Sequence, residues 1–188
     1  MKSLVLQPTD LAQWHALVSE AQTACKLNLG EHLESYLVFL LMRFVDRPEM
    51  TRKIMALEFL NAQQRAGNNA ETLRDVGDQC LLFSGLFPQI AAKRLVKVSY
   101  FVNIGRSAYQ QASLAEQSDA SLFSRLADAF VCAMDVLLAM RGLSGQPALQ
   151  PLAAAELWQD TGSRSAFEEL AACSDATPAR SMGSKYRH

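Results

Sequence analysis

Residues 73–109, LRDVGDQCLLFSGLFPQIAAKRLVKVSYFVNIGRSAY, decide the fold class, because two apolar helical segments meet there at a Ser84-Gly85 stop and charge interrupts both. Leu73, Val76, Gly77, Cys80 and Ser84 recur at helical spacing on one side of a helix from about Ala70 to Phe83. Their small members permit close approach by a neighbour. Pro88 fits the first turn of the next helix, which the apolar period carries to about Ala112. Counting about 100° per residue from Leu95, the side chains Val98, Phe101, Val102, Gly105, Ala108 and Tyr109 gather on one arc, and Arg94 falls inside it. A guanidinium in that position must be paired or reach water. If the hairpin turns near Leu86, equal distances from the turn set Asp78 opposite Arg94 and Asp75 opposite Lys97. These are the expected structural ion pairs, of the kind that fixes register more than it adds stability. Gly105 on the apolar arc is read as a point of close helix packing.

Working outward, the same period predicts helices on both sides. Thr9 or Asp10 caps a first helix to about Leu27, with Leu11, Trp14, Val18, Ala21 and Cys25 on its stripe. Glu31 to Asp46 follows, apolar nearly all round and therefore expected at the centre. Pro48 precedes a third helix from Glu49 to Gln64, and Gly67-Asn68-Asn69 marks a turn. Ser118, Asp119 or Ser121 caps a helix to Met140, with Leu122, Leu126, Phe130, Met134 and Leu137 as its core stripe. Short helical pieces near 152–159 and 164–172 precede a polar tail. No stretch shows sustained alternation with hairpin turns, so the expected fold is an all-α single-domain bundle of about six main helices. Residues 1–142 form its core, 143–175 are short helices packing on it, and 176–188 are expected to be a mobile tail.

Composition narrows the function classes. A net charge of −1 provides no field to gather phosphate backbones, so nucleic acid is not an expected partner. The most apolar window, Tyr36 to Met42, is far short of the roughly 20 residues that cross a bilayer, and no membrane partner is expected. Cys25, Cys80, Cys132 and Cys173 are scattered without a CxxC, which fits a reducing cytoplasm and no metal finger. Cys80 and Cys132 read as buried thiols in apolar helices.

Chemistry-bearing motifs are sparse. A di-metal bundle needs Glu-x-x-His on two helices, and the chain has none. His15 and His32 stand alone, so no metal or cofactor is expected. Ser84 lies in FSGLF without a strand-to-helix elbow, so no catalytic residue is assigned. Asp75 or Asp78 with Tyr100 is an acid–base pairing with no further support. Val98-Ser99 superficially fits a helix-turn-helix, but Lys97 occupies the turn-glycine position and Asn103 a core position. Arg43 shares a face with His32, Tyr36 and Phe39 on a helix with almost no polar side. With Arg94 it has the chemistry to clamp a carboxylate or phosphate, and Arg43, Arg94, Asp78, Tyr100 and Tyr109 are the candidate ligand-binding residues.

The blocks YLVFLLMRFV at 36–45, LRDVGDQCLLFSGLFP at 73–88 and KRLVKVSYFVNIGRSAY at 93–109 resemble an uncharacterised family of bacterial all-α proteins. The resemblance implies a bacterial, cytoplasmic origin and carries no site residues over. The leading expectation is a non-enzymatic interaction or regulatory module whose partner is another protein or a second copy, as a homodimer through an exposed apolar helix face. The alternative is a binder of, or enzyme on, a small anionic ligand at Arg43 and Arg94.

Overall fold

The computed structural model describes residues 8–46, 70–116 and 118–173, and the expected helix at 49–64 and the tail at 176–188 lie outside them. The described residues form nine helices and no strand. They are α1 (Pro8–Ala24), α2 (Glu31–Asp46), α3 (Ala70–Gly85), α4 (Gln89–Lys93), α5 (Val98–Ala115), α6 (Ala120–Asp128), α7 (Phe130–Leu143), α8 (Pro151–Thr161) and α9 (Arg164–Cys173).

The central element is α3, not α2. Every residue from Val76 to Gly85 is buried, whereas α2 leaves Phe39 and Val45 exposed. What singles out α3 is its small residues. A Cβ on Gly77 would sit 2.5 Å from Tyr109 Cε1, and one on Gly105 would sit 2.5 Å from the Phe130 ring and 2.7 Å from Cys80 Cβ. Glycine at these two positions lets α3, α5 and α7 approach more closely than any side chain would permit. α3 packs on α5 and α7, α1 on α2 and α7, and the α8–α9 hairpin on α5 and α7.

Two helices expected to be continuous are broken. Residues 88–112 divide into α4 and α5, because α4 ends in a Schellman turn. The Leu95 N–H donates to Ala92 O at 3.2 Å and the Val96 N–H to Ala91 O at 3.0 Å. Leu95 takes the left-handed position at φ +56°, where glycine is the usual occupant, at a cost of roughly 1–2 kcal/mol. Lys97 is then extended, at φ −76° and ψ 152°, and α5 starts afresh. α1 closes in the same way, with Lys26 at φ +54°, the Lys26 N–H on Thr23 O and the Leu27 N–H on Gln22 O. Residues 118–140 divide at Ala129 into α6 and α7, with no glycine or proline to mark the bend. There the Arg106 Nε–H donates to Ala127 O at 3.1 Å, giving the last turn of α6 an external partner.

Candidate functional site

Asp78 is the chemical centre of the core. Its position on α3 faces α2 and α5, and its side chain is completely buried. A carboxylate so placed must be satisfied by hydrogen bonds and a counter-charge. Tyr36 of α2 and Tyr109 of α5 each donate a hydroxyl hydrogen bond to Oδ1 at 2.6 Å, and Arg43 of α2 pairs through Nη2 with Oδ2. Arg43 Nη1 also lies 3.7 Å from Asp75 Oδ1, and Arg74 Nη2 is 3.4 Å from the same oxygen. Tyr36 and Arg43 come seven residues apart on α2, two turns, so one helix face delivers both to the same carboxylate.

Aromatic packing fixes the donors. The Tyr109 ring meets Tyr36 edge-on at 6.4 Å, stacks on Phe123 at 6.4 Å and tilts against Phe130 at 6.0 Å. Burial pushes the Tyr36 hydroxyl up to about 12 against the opposing pull of Arg43, and burial raises Tyr109 well above the ordinary phenol value. Both phenols therefore remain donors at neutral pH. The arrangement joins three helices at one carboxylate, and Arg43, which is 28% exposed, carries the cluster toward solvent.

The expected pairing of Asp78 with Arg94 is replaced by Asp78 with Arg43. The angular count ran through Leu95, and the left-handed turn there swings Arg94 off the apolar arc. Arg94 is exposed, its guanidinium carbon 5.4 Å above the Phe83 ring. Asp75 does not meet Lys97 either. Lys97 Nζ lies 3.3 Å from Glu156 and 3.8 Å from Asp160 of α8, so its pairing fastens α5 to the C-terminal hairpin instead. Of the five candidate ligand-binding residues, the fold unites Arg43, Asp78 and Tyr109. Tyr100 and Arg94 are exposed elsewhere. Cys80 is buried as expected and burial raises its thiol, but Cys132 is exposed because it points away from the core stripe of α7. Ser84 donates to the carbonyls of Cys80 and Leu81 within its own helix, a structural use of the hydroxyl.

A second buried carboxylate, Asp135, was not among the sequence-derived candidates. Its Oδ1 accepts from Ser163 Oγ at 2.5 Å and its Oδ2 from the Arg164 N–H at 2.8 Å. It thus satisfies the first turn of α9 from across the bundle. Burial raises its carboxyl above the ordinary range despite these donors. The signal available was a lone acid in the apolar run FVCAMDVLLAM.

Clefts lie among the described residues. One, of about 420 Å³, runs between the α4–α5 turn and the start of α8, with Lys97, Arg141 and Glu156 as its charged lining. A second, of about 340 Å³, is a groove between α1, α2 and the end of α7, and a third, of about 270 Å³, lies between α1, α7 and α9. Arg43, Asp78, Arg94, Tyr100 and Tyr109 line none of the three. Among the described residues no group of three or more His, Cys, Asp and Glu side chains is placed to hold a metal ion. No described helix is long and apolar enough to cross a membrane. No protein-family model, curated protein or solved structure matches the chain.

Proposed function

We propose that the chain is a non-enzymatic helical interaction module that receives an amphipathic helix of a protein partner in the groove between α1, α2 and the end of α7. The observation that carries this reading is the composition of the groove. Trp14, Leu17, Leu41, Phe44, Val45, Leu86, Met140 and Leu143 line it, with Glu20 as the one charged residue. Leu17, Val45 and Leu143 are exposed on its rim. Large apolar side chains held in water at one groove are characteristic of recognition surfaces. The C-terminal ends of α2 and α7 both border the groove and present partial negative charge alongside Glu20, which selects a basic amphipathic helix.

The rival reading is a small anionic ligand held by Arg43 and Arg94, and the geometry gives it less support than the groove. Arg43 is engaged by Asp78 and Asp75, and Arg94 lies on another face. Trp14 provides the test. With Trp158, which packs on Phe167 at 5.4 Å, replaced by Phe, the remaining indole reports on the groove. A synthetic Leu/Lys amphipathic helix is expected to shift Trp14 emission to the blue with saturation, and Val45→Asp to abolish the shift. Equal response to a Leu/Glu helix, or none to either, refutes the reading.

A further inference from the structure

The α8–α9 hairpin is organised as a unit of its own. Its two helices pack on one another more extensively than either packs on the bundle. Trp158 of α8 meets Phe167 of α9 at 5.4 Å, and the Leu149 N–H, just before α8, donates to Glu169 Oε2 of α9 at 2.9 Å. Against the bundle the hairpin buries little. Ala154, Leu157 and Ala166 are the buried residues of its two helices, and two of them are alanines, whereas every residue of α3 from Val76 to Gly85 is buried.

What holds the hairpin down is polar and gathered at one end. Asp160, in the last turn of α8, accepts from Ser99 Oγ of α5 at 2.8 Å and lies 3.8 Å from Lys97 Nζ, which also reaches Glu156 at 3.3 Å. Just past the turn at Gly162, Ser163 Oγ and the Arg164 N–H donate to the Asp135 carboxylate of α7, and Ser165 Oγ donates to the Asp135 carbonyl at 3.3 Å. Lys97 is half exposed, so its pairs contribute less than the contacts of Ser99 and Asp135. The opposite end is the join to the bundle, residues 144–150, which form no helix. Arg141 donates to the Pro147 carbonyl and anchors the first half of this join to α7. Gly145 stands in it at φ +73°, with nothing within 4 Å of where a Cβ would be. Clefts border both helices of the hairpin: Leu152, Ala153 and Glu156 wall the 420 Å³ cleft, and Ser165, Glu168 and Glu169 wall the 270 Å³ one.

We infer that the α8–α9 hairpin is a hinged cover, which swings from the bundle as one unit about residues 144–150 when the latches at its tip release, and so exposes the surfaces of α5 and α7 beneath it. An element with its own internal contacts, little apolar area against its neighbours and a latched tip opposite a loop is the kind that opens without unfolding the rest. Val98 of α5 and Leu138 of α7, both buried, border the two clefts and become accessible in the open form. The cover does not depend on what occupies the groove between α1, α2 and α7.

Hydrogen exchange of the full native chain, followed by mass spectrometry at stepped low urea, tests this. Peptides from 151–173 are expected to exchange together, at least about tenfold faster than those of α3, with a weaker urea dependence than global unfolding. Ser99→Ala and Asp135→Asn each weaken one tip latch. Each is expected to speed exchange about tenfold along the whole of 151–173, including 152–156 and 169–172 remote from the tip, and to leave α3 unchanged. The wild-type measurement decides by itself if Asp135→Asn does not fold. Any of three results overturns the inference: exchange of 151–173 only in step with α3, opening of α8 without α9, or acceleration confined to 160–166, which would make the latches local caps.

Discussion

Replacing Arg43 by Met removes the cation from a carboxylate that has no access to water. Asp78 keeps two phenol donors on Oδ1, but Oδ2 is left with a buried negative charge and no counter-charge. Breaking a buried pair from one side costs about 3–5 kcal/mol. Arg43 is partly exposed, so water entering along its vacated path relieves some of that, and the lower half of the range, about 3–4 kcal/mol, is expected. For a chain of 188 residues this lowers Tm by roughly 6–16 °C, at 2–4 °C per kcal/mol. Arg94→Met removes an exposed guanidinium that lies over the Phe83 ring, and an exposed contact of this kind should cost at most about 1 kcal/mol. Urea unfolding followed by circular dichroism, with calorimetry for Tm, separates the two. Adding Asp78→Asn to Arg43→Met removes the uncompensated charge while retaining an acceptor for the tyrosines, and part of the loss should return. The reasoning is refuted if Arg94→Met unfolds as early as Arg43→Met, or if the double variant recovers nothing.

Tyr36→Phe deletes one charge-assisted hydrogen bond to Asp78 and should cost about 1.5–3 kcal/mol in urea titrations at neutral pH. Because the Tyr36 phenol is held at about 12 in the fold and ionises near 10 in the unfolded chain, stability is fully present below pH 10 and falls as pH rises from 10 to 12. Tyr36 alone contributes a slope of about 1.4 kcal/mol per pH unit there, and Tyr36→Phe should flatten the alkaline limb of a pH–stability curve. Gly77→Ala drives a methyl group to within 2.5 Å of a Tyr109 ring pinned by its hydrogen bond, and should destabilise by about 1–3 kcal/mol; Gly142→Ala meets nothing within 4 Å and should be neutral or stabilising by up to about 1 kcal/mol, both read from urea midpoints. Asp135 has a raised carboxyl, so its ionisation opposes folding. Its contribution is fully present below the unfolded value near 4 and lost as pH rises through the higher folded value, so Asp135→Asn should weaken that decline in urea titrations at stepped pH.

The helical class was legible because the apolar period is strong in every segment from Leu11 to Ala172, and the boundaries of α3, α8 and α9 fall within two or three residues of their sequence signals. Asp78 was reached by counting from the hairpin turn as the residue opposite Arg94. Its partner was not. Identifying Arg43 requires the crossing of α2 over α3, a tertiary fact, whereas the hairpin count that favoured Arg94 assumed a straight helix through Leu95. A Schellman turn with leucine in the glycine position gives no compositional warning, since the apolar period runs on across it. The bend at Ala129 is equally silent. Lys97 was assigned to Asp75 within the hairpin because Glu156 and Asp160 lie some 60 residues further on, beyond the reach of any spacing rule. Exposure is the remaining illegible quantity: Leu95 and Leu137 look alike in a sequence, and one is in water while the other is at 0%.

Asp78 also couples separate parts of the chain. Its partner Tyr109 lies 31 residues away on a helix that packs closely on α3, but Tyr36 and Arg43 lie 42 and 35 residues to the other side, on an element that reaches α3 chiefly through their side chains. A chain that has paired α3 with α5 but not yet docked α2 holds a carboxylate with one donor and no cation. That charge retains its hydration, so the inner face of α3 stays wet until Arg43 arrives. Burial of Asp78 and docking of α2 are thereby coupled, because the carboxylate has its counter-charge only when Arg43 is in place.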